Sequence, residues 1–156
     1  MNNDKSLRDH LLELLESNQA HISFADAVKD FPRELRGKRP DGSPHTAWQL
    51  LEHLRLAQWD ILEFTRDPKH VSPDFPQGYW PSSEAPPDDE AWNESVEGFR
   101  RDLKGLADLA RDESLDLHAP IAHGTGQTVL RELLLAADHN AYHLGQLMIV
   151  RKMLDA

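Results

Sequence analysis

Six apolar residues between positions 92 and 110 fall at intervals of four, three, four, three and four: Trp92, Val96, Phe99, Leu103, Leu106 and Ala110. That spacing keeps one face of a helix apolar over five turns, which is the pattern of a helix packed in a bundle. No segment alternates apolar and polar residues with the period of two that a half-buried strand requires. The chain is therefore expected to be all-α.

Three further periodic segments agree. Leu7, Leu11, Leu14 and Leu15 recur at helical spacing over roughly 4–18, with Asn18 as the expected stop. "SFAD" (23–26) reads as a capping box that opens a short helix of about 23–30, ending before Pro32. Thr46 and Gln49 have capping-box spacing, and Ala47, Leu50, Leu54, Ala57, Ile61 and Phe64 form a stripe up to about Arg66. A last helix runs from near Thr128 to about Leu154. It is apolar on nearly every side, so it is buried or meets a second molecule.

The connections set the path. Residues 32–45 and 112–126 are rich in Pro and Gly and read as loops, and residues 67–87 carry six prolines. A linker of that length reaches about 70 Å when extended, whereas the helix before it is roughly 30 Å long. The chain can return along the bundle and start the next helix in the same direction. The expectation is one domain over 1–156, a four-helix bundle with a long crossover between its second and third main helices.

Charge and composition narrow the function. The net charge of −10 disfavours nucleic acid and anionic membranes as partners. "RELRGKR" (33–39) is too short a basic patch to reverse that. With no cysteine there is no disulfide, thiolate metal site or cysteine nucleophile. The amino terminus has no apolar signal core, and no apolar run approaches the ~18–20 residues of a membrane span. The expected location is the cytoplasm.

Nine histidines occur. His10, His70 and His118 lie in polar or loop contexts and read as surface, His45 as solvent-facing before a helix start, and His21 as isolated in a kink. Three others stand on apolar helices. His139 and His143 are four apart, on one helix face; His53 flanks the leucine stripe of the 46–66 helix. Each alone would be an ordinary hydrogen-bonded histidine at a core edge. Together they form the donor set of a Zn²⁺ or Ni²⁺ site built in a bundle core, with one coordination position left for water or substrate. Both readings remain open on the residues alone. Asp60 is seven residues after His53, Gln49 four before it, Glu132 seven before His139 and Gln146 three after His143. These four are the candidates to support the ligands, Asp60 by fixing a ligand tautomer. Glu132 is more simply a surface carboxylate. The aromatics of "GYWP" (78–81) are expected to cap one end of the bundle. No residue is assigned a catalytic role.

"HTAWQLLEHLRLAQWDILEF" (45–64) and "GQTVLRELLLAADHNAYHLGQL" (126–147) resemble the two diagnostic blocks of the DinB-like superfamily. The first carries the single histidine, His53, and the second the His-x-x-x-His pair, His139 and His143. The resemblance implies an up-down-down-up four-helix bundle, one divalent metal ion per chain (zinc or nickel) on the three histidines, and a homodimer. Relatives include S-transferases that use bacillithiol or mycothiol and a mycothiol-dependent maleylpyruvate isomerase. It thus implies a thiol-dependent S-transferase acting on a small-molecule substrate. The alternatives are a metal-dependent hydrolase and a non-catalytic metal-binding stress or interaction protein.

Overall fold

Side-chain caps set where the helices begin. The computed structural model describes residues 3–16 and 20–156, so the expected stop at Asn18 lies outside the described residues. Helix α1 spans Asn3–Glu16, α2 Phe24–Val28, α3 Ala47–Arg66, α4 Asp89–Arg111 and α5 Val129–Met153. At Thr46 the capping box is complete: its Oγ1 accepts from Gln49 N at 3.2 Å, and Gln49 Oε1 accepts from Thr46 N at 3.1 Å. Asp88 and Thr128 cap α4 and α5 in the one-sided way. Ser23 also accepts from Asp26 N, but the Asp26 carboxylate accepts a hydrogen bond from the Ser23 hydroxyl instead of reaching the backbone N–H. The reciprocal box read at "SFAD" is therefore not formed. Helix α2 stops at Val28, and Asp30 follows with a left-handed φ of 51°.

Among the described residues there is no strand; Pro120 and Thr128 form an isolated antiparallel bridge that leads into α5. The fold is all-helical, and a bundle arises because the stripes face each other. Helix α3 packs on α4 and α5, and α1 packs on α4 and α5. The α4 stripe is buried at Trp92, Val96, Phe99, Leu106 and Ala110. Helices α3 and α4 come close where Leu62 meets Gly105: a Cβ there would stand 2.7 Å from Leu62 Cδ2. Helix α5 buries Val129, Leu133, Ala136, Leu144, Leu147 and Val150. It leaves Leu134, Tyr142, Ile149 and Met153 exposed.

The apolar interior has two parts. One includes Leu50, Leu51, Trp92, Leu144 and Leu147; the other includes Ile61, Leu62, Leu106, Leu133 and Ala136. In the gap between them on α3 and α5, polar side chains meet. Gln58 is 1% exposed, donates to Phe99 O at 2.6 Å and accepts from Asn140 Nδ2 at 2.7 Å. The histidines occupy the same layer. No helix among the described residues is long and apolar enough to cross a membrane.

Candidate metal centre

Helix α3 supplies His53 and helix α5 supplies His139 and His143 to this layer. His53 and His143 are buried and His139 is half-buried. The Nε2 atoms of His143 and His139 each lie 3.1 Å from His53 Nε2. One candidate ligand atom from each ring falls within 4.8 Å of the other two.

The opposite ring nitrogens decide what these atoms offer. The Tyr79 carbonyl is only an acceptor, so His53 Nδ1–H donates to it, at 2.8 Å. His143 Nδ1–H donates to Gln146 Oε1 at 2.7 Å. A neutral imidazole with its proton on Nδ1 has a bare lone pair on Nε2. Two lone pairs therefore face each other at 3.1 Å with no proton between them, an arrangement that calls for a cation. Two nitrogens each ~2.0–2.1 Å from one tetrahedral ion lie roughly 3.3 Å apart, close to the observed spacing. Three neutral imidazoles suit a divalent ion of the zinc–nickel type. The residues fit a metal ion.

Their protonation agrees. Burial lowers the His53 pKa to about 4, the Tyr79 carbonyl opposing and His143 and His45 adding repulsion. Burial and then the two neighbouring histidines lower His139 to about 3. His143 is lowered by burial against the pull of Gln146. Unfolded, each ring titrates near about 6.5. Below that pH the unfolded chain binds more protons than the folded one, so stability falls as pH falls. The metal-free chain is expected to lose stability between about pH 6.5 and pH 5, where carboxylates remain ionised. A His53→Gln variant should lose less over that window. Denaturant melts at both pH values check this, and equal slopes for the two chains would contradict it.

Aromatic rings close one side. Trp80 lies flat on His53, centroids 3.8 Å apart and planes within 1°. His45 stacks on Trp80 at 4.1 Å, and Tyr142 meets His143 edge-on at 4.8 Å. Trp80 thus covers a site residue, where the sequence reading made it an end cap. His45 is half-buried against that ring instead of solvent-facing.

The four supporting candidates separate. Gln146 holds His143. Gln49 is occupied by the capping box and by Arg39. Glu132 is 2% exposed, so it is no surface carboxylate; it pairs with Arg131. Asp60 does not meet a ligand imidazole. Its Oδ1 accepts from His70 Nε2–H and its Oδ2 from the Tyr79 hydroxyl, both at 2.7 Å. The Tyr79 hydroxyl is pushed up to about 12, by burial first and then by Asp60, so it remains a donor at neutral pH. The side chain of His70 is 8% exposed, which corrects its reading as surface. Sequence reasoning missed the role of Tyr79, because its backbone carbonyl carries no residue-type signal.

Comparison with curated proteins and with solved structures gives no match. The family model of the DinB superfamily matches residues 15–147, a span that holds all three histidines. On that match, the chain belongs to the DinB superfamily.

Proposed function

We propose that this chain is a divalent-metal-dependent enzyme, a thiol-dependent S-transferase that joins a low-molecular-weight thiol to a small electrophile. The observation that carries the metal reading is the convergence of the Nε2 atoms of His53, His139 and His143, with Tyr79 and Gln146 holding Nδ1 protons on two of the rings. The family resemblance supports the transfer reaction. Zinc or nickel is the expected ion. When bound, it lowers the pKa of a thiol at its open position. The three histidines act as neutral ligands, and Trp80 keeps water from one face of His53.

The reading includes a chain path. The approaches of Arg55 to Gly98 and Leu62 to Gly105 advance together along α3 and α4, which supports parallel helices. The pairs His53–His143 and Gln58–Asn140 run in opposite senses on α3 and α5, which supports antiparallel ones. The reach of Arg8, in the first half of α1, to the Ala110 and Leu115 carbonyls at and beyond the end of α4 supports α1 running against α4. Together these directions support an up-down-down-up bundle of the four long helices. The exposed Tyr142, Ile149 and Met153 on α5 support a second copy as partner.

The test is turnover of tag-free, metal-loaded protein against a panel of thiols with electrophiles and a panel of esters and amides. Product formation that requires added thiol is the expected outcome. Ester or amide cleavage without thiol would replace the transferase by a hydrolase. Protein purified natively without one divalent ion per chain would remove the metal reading altogether.

A further inference from the structure

Asp60 is buried on α3, seven residues beyond His53, where a lone carboxylate would be costly. Both of its oxygens are occupied, and both donors come from one segment. His70 and Tyr79 lie in the stretch that leaves α3 at Asp67 and reaches α4 at Asp89. That stretch has only a single 3-10 turn, Gln77–Tyr79, to order it. A connection of this length without a helix of its own samples many paths unless it is tied down. Asp60 ties its first part, at His70 and at the Tyr79 hydroxyl, while Trp48 and Thr46 hold Ser83 and Glu84 near its end. The His70 ring is further set edge-on against Trp59 at 5.0 Å.

Tyr79 is held at two ends. Its hydroxyl is on Asp60, and its backbone carbonyl accepts the Nδ1 proton of His53. The next residue, Trp80, is the ring that covers His53. Moving Tyr79 would therefore release the one acceptor that fixes which nitrogen of His53 is protonated. The two tautomers of a free neutral imidazole are both accessible, and the one with its proton on Nε2 cannot ligate through that atom, the one that meets the other two rings.

We propose that Asp60 is a positioning residue for the three-histidine centre: by holding Tyr79 and His70 it sets the Tyr79 carbonyl, which keeps the His53 proton on Nδ1 and its lone pair on Nε2. This inference rests on the metal-centre reading above. It gives a buried carboxylate a task that leaves it out of the coordination set.

The test uses the full chain with Tyr79→Phe and with Asp60→Asn. Tyr79→Phe keeps the ring and the backbone carbonyl and severs the hydroxyl's ties to Asp60 and to Ser72. Asp60→Asn leaves the Ser72 contact in place, so an effect shared by both variants belongs to Asp60. Nitrogen-15 NMR of the metal-free protein reads the His53 tautomer directly. The wild type is expected to hold the Nδ1–H form, and each variant to show a mixture. Titration with Co²⁺, followed by its visible absorption, is expected to give affinities about 10–100-fold weaker in either variant. The double variant should be no weaker than the more affected single, because both substitutions cut one path. Leu106→Ala, which weakens the other core cluster, should move neither readout. An unaltered His53 tautomer in both variants overturns the proposal, and so does unaltered Co²⁺ affinity where the wild type binds. A wild type that takes up no Co²⁺ overturns the metal reading instead, and the tautomer measurement still decides whether Asp60 sets His53.

Discussion

A His139→Ala chain, purified without a tag, is expected to bind its divalent ion at least about 100-fold more weakly than the wild type, the upper end of what loss of a mere supporting partner costs. His139 supplies one of the three converging nitrogens. Its removal leaves two ligands, from different helices. The same substitution should cost the metal-free fold little, within about 1 kcal/mol. Among the described residues the His139 Nδ1 atom is buried without a hydrogen-bond partner, so truncation orphans none of them on that side. It also relieves a ring whose pKa burial lowers to about 3. Metal content by mass spectrometry and thermal melts of the metal-free protein separate the two effects. Undiminished metal content would place the ion elsewhere.

Leu106→Ala should do the reverse. Leu106 is fully buried in the cluster with Leu62, Leu133 and Ala136. Deleting its side chain costs about 2–5 kcal/mol, the transfer term plus the cavity left behind. For a chain of this size each kcal/mol moves the Tm by about 2–4 °C, so the melt should fall by roughly 4–20 °C. Relaxation is limited on the α3 side, because Leu62 is already lodged against Gly105. Metal bound per folded chain should not change. A loss below about 1 kcal/mol would show that the neighbouring helices collapse onto the gap.

The long helices were legible because their information is local. The α4 stripe needs only its own spacing, and the start of α3 needs only Thr46 and Gln49, which the structure joins as a capping box. The His139–His143 pair and His53 could likewise be picked out as histidines on apolar helix faces. The supporting residues were not legible in the same way. Asp60 shares a helix face with His53, so a helical wheel offers it as an imidazole's partner. The path of the 67–88 segment, which no periodicity encodes, brings Tyr79 and His70 to it instead. By its polarity, Glu132 suggests exposure in the sequence. It is buried at the start of α5, with only its partner Arg131 reaching solvent. The bonds that decide the His53 proton and the fate of Asp60 involve a backbone carbonyl and a proline-rich loop, and neither leaves a pattern in the residue types.

A metal ion held between the two apolar clusters would tie the life of the folded chain to its surroundings. Between the clusters, α3 and α5 bring together imidazole nitrogens whose lone pairs a bound cation would join. An ion that binds only the folded form adds RT ln(1 + [M]/Kd), about 2.7 kcal/mol at a hundredfold excess over Kd and about 4.1 at a thousandfold. Domains are commonly stable by only about 5–15 kcal/mol. Free metal concentration would thus become a term in this chain's folding equilibrium, and a shortage of the ion would be read out as faster turnover of the protein itself.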